Sequence, residues 1–287
     1  MLQPTRQQFR TMLRPGAAVI LPGVANALAA RVVADCGFAA AYVTGAGIAN
    51  TFLGIPDNGL VTVSELTAHV TAIREVFPGP LMVDADTGFG NALNMRRTIQ
   101  TLERAGADAI QIEDQVFPKR CGHFEGKEVI PADEMVAKIK AAVDARTDPD
   151  LLIVARTDAI AVEGFDRAME RAHAFRDAGA DIGFVEAPTT AEQIAAIGRL
   201  PYPQLANIVI GGKTPERSNN ELKNLGFAGV LYANTALQAA VLGMQRALGH
   251  LKEHGQIGHA DDILATFTER QRLVDIGSFQ AMERKYK

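Results

Sequence analysis

Short apolar segments alternate with amphipathic segments along most of the chain. The apolar segments are continuous runs of aliphatic and β-branched residues, which is typical of parallel strands that are buried on both faces. Strands are predicted at residues 18–21, 40–44, 81–86, 109–113, 151–157, 182–186, 204–210 and 229–232. Helices are predicted between them at residues 25–35, 64–76, 92–105, 132–145, 165–178, 191–200, 219–225 and 235–253. The alternation therefore predicts an α/β protein.

Eight strand–helix units in a chain of 287 residues predict a (β/α)8 barrel, the TIM-barrel architecture. A doubly wound open sheet is the alternative, but no glycine-rich dinucleotide fingerprint follows the first predicted strand. No linker-like segment divides the chain, so we predict a single domain over residues 1–287. Residues 257–287 exceed the eight units and are predicted to form a C-terminal helical extension. Its amphipathic part, at 261–276, is predicted to be helical and to pack on a neighbouring subunit.

The composition is that of an ordinary globular enzyme, with 47% hydrophobic and 22% charged residues. The net charge of −4 and the absence of a long basic run argue against a nucleic-acid partner. No apolar run approaches the roughly 18 residues of a membrane span, so we predict neither a membrane partner nor a signal peptide. The two cysteines, Cys36 and Cys121, fit a reducing cytoplasm, and Cys36 is predicted to lie in the core.

Acidic side chains recur where the predicted strands end, which is where a (β/α)8 barrel carries its catalytic groups. Asp57 follows the second strand, Asp84 and Asp86 end the third, and Glu113 ends the fourth. Asp84 and Asp86 are two residues apart, so both point to one side of the strand and repel each other unless a cation intervenes. Oxygen ligands without histidine or cysteine suit Mg²⁺ or Mn²⁺. A strand-end loop of solvated acids is the alternative, but four converging acids favour a metal site.

One cysteine lies in the segment Lys119-Arg120-Cys121-Gly122-His123, among three side chains that are or can become cationic. Cations lower the pKa of a thiol, and glycine allows a tight loop. Such a thiol suits proton transfer or nucleophilic chemistry better than core packing. A second candidate is the turn Thr44-Gly45-Ala46-Gly47, whose backbone N–H groups can approach an anion, although glycines in such loops are more often simple turn residues.

Together these motifs resemble the isocitrate lyase / phosphoenolpyruvate mutase superfamily over nearly the whole chain. The matching segments are Tyr42-Val-Thr-Gly-Ala-Gly47, Asp84-Ala-Asp-Thr-Gly-Phe-Gly-Asn91, Gln111-Ile-Glu-Asp114, Lys119-Arg-Cys-Gly-His123 and Ala155-Arg-Thr-Asp158. The cysteine segment is specific to the lyase branch. The resemblance implies a barrel whose eighth helix is swapped between subunits, in a homotetramer that is a dimer of dimers.

The resemblance also implies the chemistry of the site. It implies a metal ion, Mg²⁺ or Mn²⁺, near four acids, which are Asp57, Asp84, Asp86 and Glu113. It implies a small 2-oxo or 2-hydroxy carboxylate that is held by the metal, by Arg156 and by the backbone of the turn that contains Thr44, Gly45 and Ala46.

Catalytic roles are implied for Cys121, as the general acid, and for Arg156, His123 and Lys119. The remaining positions that the resemblance assigns to the substrate pocket are Tyr42, Arg120, Gly122, Glu186 and Asn207. All of these assignments come from matching motifs, and the structure must show which of the side chains share one cavity.

Two groups within the lyase branch match different segments. Residues 144–164 and Val185-Glu-Ala187 resemble 2-methylisocitrate lyase. Residues 207–215, Pro118 and Phe124-Glu-Gly-Lys127 resemble the group of 2,3-dimethylmalate lyase and the petal death proteins. The chain thus carries signals of both groups.

The resemblance implies Mg²⁺-dependent cleavage of the C2–C3 bond of a 2-hydroxy dicarboxylate, of the 2-alkylmalate or 2-methylisocitrate type, to a 2-oxo acid and a second carboxylate. Ile210 and Ala233-Asn234 depart from the glutamate and the Pro-Leu pair that both groups commonly have, so we expect an altered substrate pocket. Oxaloacetate acetylhydrolase and phosphonopyruvate or phosphoenolpyruvate mutase activities are alternatives within the superfamily. A non-catalytic barrel that binds 2-oxo acids is the alternative of another class.

Overall fold

The structure is a computed structural model of the protein, and it describes residues 3–120, 126–212, 214–258 and 263–287. Its strands are β1 (Val19–Val24), β2 (Ala41–Val43), β3 (Leu81–Asp84), β4 (Ala109–Glu113), β5 (Leu152–Thr157), β6 (Ile182–Val185), β7 (Gln204–Asn207) and β8 (Gly229–Tyr232). Its helices are α1 (Gln3–Met12), α2 (Ala27–Asp35), α3 (Gly45–Ile48), α4 (Val63–Val76), α5 (Ala92–Ala105), α6 (Ala132–Ala145), α7 (Ile160–Glu163), α8 (Phe165–Asp177), α9 (Ala191–Gly198), α10 (Asn219–Asn224), α11 (Thr235–His254), α12 (Phe267–Leu273) and α13 (Ile276–Lys285). A π-helical turn, Ala49–Leu53, follows α3.

The strands form a closed, all-parallel barrel in the order of the chain. The barrel closes where β8 pairs with β1, with Gly229 opposite Val19 and Tyr232 opposite Pro22. The predicted (β/α)8 barrel is therefore confirmed, and the open sheet is excluded. Because the strands are parallel, the strand ends that carry the predicted acids all meet at one edge of the barrel.

The boundaries of β4, β8, α5 and α6 coincide with the predictions at both ends. The first strand, predicted at residues 18–21, begins at Val19 and runs on to Val24. In the barrel, Pro22 keeps the register with β8, and Gly23 follows it. Glycine is required there, since a Cβ on Gly23 would lie 1.8 Å from the carbonyl oxygen of Ala233.

Two apolar layers hold the barrel together. Inside it, side chains such as Met82, Leu152 and Phe184 fill the space between the strands. Outside it, a second layer lies between the strands and the surrounding helices. The sequence did not predict α1, which adds the buried Phe9 and Leu13 to the inner layer and closes the amino end of the barrel.

The C-terminal extension is helical in its described part, as predicted, and α12 lies within the predicted range 261–276. The described part contains two helices, α12 and α13, and they are separated at Asp275, whose φ is 61°. Residues 259–262 lie outside the described residues. Large apolar side chains such as Phe267, Phe279 and Tyr286 are exposed on these helices. Within the described ranges, no helix combines the length and the hydropathy that crossing a bilayer requires.

The prediction for Cys36 is wrong. The side chain is exposed rather than part of the core. The residue lies just beyond the last turn of α2, where its backbone caps the helix, so it no longer follows the apolar face.

Candidate active site

A cavity of about 370 Å³ opens at the carboxyl ends of the strands. Most of the predicted site residues line it, namely Tyr42, Thr44, Ala46, Asp57, Asp84, Lys119, Arg156, Glu186 and Asn207. The residues that depart from the family pattern, Ile210 and Ala233-Asn234, line it as well. Arg120 does not; it lines a separate pocket beside Gly126. Cys121, Gly122 and His123 lie outside the described residues, so their roles stay predictions.

The small-residue turn packs directly against the acids at the end of β3. A Cβ on Gly45 would lie 3.2 Å from Asp86 Oδ1 and 3.3 Å from Asp84 Oδ2. The turn is the start of the short helix α3, and the Thr44 hydroxyl accepts a hydrogen bond from the N–H of Gly47 at 3.2 Å. Glycine at position 45 therefore lets the backbone approach both carboxylates closely.

The ammonium group of Lys119 stands among the acids. Its Nζ lies 2.6 Å from Asp57 Oδ1 and 2.9 Å from Asp86 Oδ1, and the side chain is only 4% exposed. Burial works against the charged amine, but Asp86, Asp57 and Asp84 outweigh it, so the pKa of Lys119 lies well above its usual value. Lys119 is thus a fixed cation at this edge rather than a base.

Two buried carboxylate oxygens in the site accept no hydrogen bond within the described part of the chain, Asp86 Oδ1 and Glu113 Oε1. Asp86 Oδ1 nevertheless forms an ion pair with Lys119 Nζ at 2.9 Å, so Glu113 Oε1 is the oxygen of the two without a cation among the described residues. Burial raises the pKa of Asp86 to about 7 and that of Glu113 well above its usual value. Buried carboxylates without donors fit a hard cation that prefers oxygen ligands. However, the described residues contain no group of three or more His, Cys, Asp or Glu side chains already gathered as metal ligands.

Arg156, in β5, presents donors to the cavity. Its Nε and Nη2 donate to the carboxylate of Asp158 at 2.8 and 3.0 Å, and Nε lies 3.4 Å from Glu113 Oε2. The guanidinium also lies over the ring of Phe184, with Cζ 5.2 Å from the ring centroid. Nη1 has no hydrogen-bond partner among the described residues. The free Nη1 edge is therefore the part of Arg156 that is available to a carboxylate ligand.

Asp158 anchors Arg156 from behind. The sequence motif Ala155-Arg-Thr-Asp158 includes this residue without giving it a role. Its carboxylate binds Arg156 and also accepts a hydrogen bond from Lys127 Nζ at 2.8 Å, while the cap of α7 carries no side-chain hydrogen bond. Burial raises the pKa of Asp158, but Arg156 and Lys127 outweigh it and hold the pKa at about 2. Asp158 is thus a buried, ionised anchor.

Beneath the cavity, hydrogen bonds join three polar side chains into a connected chain. Tyr42 Oη donates to Gln111 Oε1 at 3.0 Å, and Gln111 Nε2 donates to Asp84 Oδ1 at 3.2 Å. Burial raises the pKa of Tyr42 well above its usual value, so the phenol stays neutral. This chain orients Asp84, and sequence reasoning missed Gln111 in it. A glutamine in the middle of the otherwise apolar β4 was the available signal.

On the opposite wall, Glu186 and Asn207 form a second polar pair. Asn207 Nδ2 donates to Glu186 Oε1 at 3.2 Å, which fixes the orientation of the amide. Asn207 Oδ1 is then left buried without a donor among the described residues. The wall therefore offers a hydrogen-bond acceptor to a ligand.

Hydrogen bonds hold together the backbone on either side of residues 121–125, within the described part of the chain. Gln115 donates to the carbonyl of Arg120 and accepts from its N–H, both at 2.9 Å. The N–H of Val116 donates to the carbonyl of Glu128, also at 2.9 Å. Sequence reasoning missed Gln115 and Lys127 as site residues, because nothing in their spacing shows which atoms they reach.

The sequence profile of a family described as phosphoenolpyruvate phosphomutase matches residues 9–252. A 2,3-dimethylmalate lyase of Eubacterium barkeri is 42% identical over 283 residues, which cover 98% of this chain and 98% of that protein. A 2-methylisocitrate lyase of Aeropyrum pernix is 43% identical over 273 residues, which cover 95% of this chain and 88% of that protein.

Solved structures match over almost the whole length. An oxaloacetate acetylhydrolase in complex with the inhibitor 3,3-difluorooxalacetate superposes with a TM-score of 0.92 at 31% identity, covering 98% of this chain and 97% of the other. A 2,3-dimethylmalate lyase, described as a member of the PEP mutase/isocitrate lyase superfamily, superposes with a TM-score of 0.91 at 34% identity, covering 99% and 95%. A phosphonopyruvate hydrolase in complex with oxalate and Mg²⁺ superposes with a TM-score of 0.88 at 29% identity, covering 98% and 99%. Proteins with different named activities therefore share this barrel.

Proposed function

Because the chain belongs to the phosphoenolpyruvate phosphomutase family, within the PEP mutase/isocitrate lyase superfamily, we propose that it is a Mg²⁺-dependent carbon–carbon lyase. The superfamily resemblance seen in the sequence motifs is thereby confirmed. The proposed substrate is a 2-hydroxy acid, either a dicarboxylate of the 2-alkylmalate type or a tricarboxylate of the 2-methylisocitrate type. Its cleavage gives a 2-oxo acid such as pyruvate and a carboxylate of the propionate or succinate type.

The observation that carries this proposal is that acids and a cation meet at one cavity. Asp57, Asp84 and Arg156 line it, and two further buried acids lie against its lining cations, Asp86 beside Lys119 and Glu113 beside Arg156. The Nη1 edge of Arg156 suits a substrate carboxylate, and the group of acids suits a cation. The relatives named as lyases of 2,3-dimethylmalate and of 2-methylisocitrate support the reaction class.

Four acids would hold the metal, directly or through water: Asp57, Asp84, Asp86 and Glu113. Bound there, Mg²⁺ or Mn²⁺ would supply Lewis-acid stabilisation of developing negative charge. The solved phosphonopyruvate hydrolase that contains Mg²⁺ supports the choice of ion. Lys119 would hold Asp57 and Asp86 together and limit their mutual repulsion.

In the proposed reaction, a base removes the proton of the C2 hydroxyl, and the electrons of the C2–C3 bond move to C3 and its carboxylate. C2 becomes the carbonyl carbon of the 2-oxo acid. Arg156 would hold a carboxylate and stabilise the negative charge that develops. The backbone of Thr44, Gly45 and Ala46, with Tyr42, Glu186 and Asn207, would hold and orient the substrate.

Cys121 would complete the reaction by donating a proton to C3, with Lys119, Arg120, Gly122 and His123 around it. General acid–base catalysis contributes about 10²–10⁴-fold in rate. Cys121→Ser should therefore lose at least about 10²-fold in kcat while it still binds oxalate in the presence of Mg²⁺. Near-full turnover by this variant would remove Cys121 from the mechanism.

The decisive experiment is a substrate panel with Mg²⁺ that contains 2-methylisocitrate, isocitrate, 2,3-dimethylmalate, other alkylmalates and oxaloacetate. The expected result is release of a 2-oxo acid from an alkylmalate or from 2-methylisocitrate, and loss of that release after exhaustive EDTA treatment. Binding of oxalate or pyruvate without turnover of any compound would instead identify a non-catalytic barrel.

Oxaloacetate acetylhydrolase is the second candidate, because such an enzyme superposes with a TM-score of 0.92. The same panel separates the two, since hydrolysis of oxaloacetate gives oxalate and acetate rather than a 2-oxo acid. Phosphonopyruvate tests the mutase alternative in the same assay.

The proposal extends to assembly and location: a helix-swapped homotetramer in the cytoplasm. The exposed apolar side chains of α11 support the assembly, among them Met244 and Leu248. Sedimentation equilibrium of the full chain measures the mass, and a monomer would contradict the homotetramer.

A further inference from the structure

We propose that Lys127 is a positioning residue that acts on Arg156 through the carboxylate of Asp158. This inference rests on the proposed function, because it assigns to Arg156 the binding of a substrate carboxylate. Lys127 itself is expected to touch neither substrate nor metal.

The pair between Lys127 and Asp158 is fully buried. Lys127 Nζ lies 2.8 Å from Asp158 Oδ1, and the two side chains are 1% and 0% exposed. Removing two charges from water costs several kcal/mol for each ion (on the order of the penalties in), and only good geometry offsets this. Lys127 lines the separate pocket beside Arg120 and Gly126, and its ammonium group reaches the site only through Asp158.

The same carboxylate also serves Arg156. Asp158 Oδ1 accepts from Arg156 Nη2 at 3.0 Å, and Oδ2 accepts from Nε at 2.8 Å. Two cations thus share one carboxylate, and the backbone N–H of Asp158 is itself fixed by Asp114 Oδ1 at 3.0 Å. Because Lys127 takes part of the negative charge of Asp158, Arg156 keeps positive potential on the side that faces the cavity.

The backbone that follows Lys127 is fixed as well. The N–H of Val116 donates to the carbonyl of Glu128 at 2.9 Å, and the N–H of Ile130 donates to the carbonyl of Asp114 at 2.8 Å. These two hydrogen bonds hold the backbone next to Lys127 against the residues that follow β4, so the ammonium group reaches Asp158 from a fixed position.

The test compares Lys127→Met with Lys127→Arg in the full-length protein. Loss of the charge should weaken oxalate binding in the presence of Mg²⁺ about tenfold and raise KM by a similar factor. The arginine variant, which restores a cation, should stay within about threefold of the wild type. Arg146→Met is the matched control, because Arg146 is also a mostly buried cation in an ion pair (18% exposed, 2.6 Å from Asp181 Oδ2), but it lies at the amino end of the barrel. It should leave oxalate affinity and KM unchanged.

A double-mutant cycle separates positioning from a merely structural role. In the Asp158→Asn background, adding Lys127→Met should change oxalate affinity by less than about threefold, because the link is already broken. Additive losses would overturn the inference, and so would a Lys127→Met variant with the oxalate affinity and KM of the wild type. If the wild-type protein neither binds oxalate nor cleaves any compound of the panel, the proposed function itself fails, and this inference fails with it.

Discussion

Both ends of the barrel bury carboxylates, but they treat them differently. At the amino end, Glu103 accepts from Arg6 Nη1 at 3.1 Å, from the N–H of Thr147 at 3.0 Å and from that of Asp148 at 2.9 Å. Asp108, just before β4, accepts from Thr5 Oγ1, the N–H of Leu81 and Arg74 Nη1. Asp181, just before β6, likewise accepts from Arg10, Arg146 and the N–H of Ile153.

At the carboxyl end, Asp114 and Asp158 are also paired, but two other acids keep an oxygen without a hydrogen bond in the described part of the chain. Asp86 Oδ1 and Glu113 Oε1 are buried without a donor within the described residues. A buried acceptor without a donor costs free energy that a paired one does not. The amino-end acids therefore stabilise the barrel, and their oxygens are already taken up by hydrogen bonds. Asp86 and Glu113 keep an oxygen that can still bind a ligand, at a cost in stability.

The largest expected effect is on stability at the amino end. Arg6→Met leaves Glu103 buried without its cation, and removal of one partner from a buried pair costs about 3–5 kcal/mol. We expect the free energy of unfolding to fall by that amount in urea titrations, while kcat per folded molecule is unchanged. A decrease in the free energy of unfolding below about 1 kcal/mol would contradict the view that the paired acids at the amino end stabilise the barrel.

The next effect is on activity at the carboxyl end. Glu113→Gln keeps the shape of the side chain and removes its charge, so turnover should fall at least about 10²-fold, or about 2.7 kcal/mol in the activation free energy. The melting temperature should not fall, because Glu113 Oε1 loses no hydrogen bond within the described residues. Steady-state kinetics and differential scanning calorimetry test both parts. Glu103→Gln is the matched control and should show the reverse, a lower melting temperature with kcat retained.

A smaller effect is expected in the pH dependence of stability, through Asp158. Its folded pKa of about 2 lies below the usual value of 3.8, so its ionisation stabilises the fold above that usual value, and the contribution is lost as the pH falls toward 2. The difference in unfolding free energy between wild type and Asp158→Asn should shrink by about 1 kcal/mol between pH 5 and pH 3. A constant difference across that range would show that Asp158 is not held ionised by its two cations.

The smallest effect on stability is expected at the protein surface, away from both ends of the barrel. Arg272 pairs with Asp35 at 2.7 Å, but the side chains are 52% and 41% exposed. Exposed pairs are screened by water and contribute little. Arg272→Ala should leave the melting temperature almost unchanged. A decrease in melting temperature comparable to that caused by Arg6→Met would mean that burial does not decide how much an ion pair contributes to stability.

The fold was predictable from the sequence because its main signal is local. Each apolar run, such as residues 109–113, is buried on both faces whatever its neighbours are, and glycine at the end of a helix marks the next turn. The signal fails for α1, which is mostly polar, and it does not show the turn at Asp275, which divides the described part of the extension into two helices.

The site was predictable as far as the strand ends define it. Parallel strands bring Asp84, Arg156 and Asn207 to one edge, so their common cavity follows from the fold. The roles of Lys127 and Asp158 do not follow, because the two residues are 31 positions apart and meet through the path of the segment after β4. The pair between Arg6 and Glu103, 97 positions apart, was hidden for the same reason.

Helix α1 closes the amino end of the barrel. Phe9 and Leu13 fill the amino end and other side chains fill the centre of the barrel, so substrate and products reach the cavity from the carboxyl end alone. A reaction that makes two products from one substrate then releases them in order. The product nearer the opening of the cavity leaves first, and the deeper product leaves last. Product inhibition should therefore be competitive with substrate for the fragment that leaves last, and noncompetitive for the fragment that leaves first.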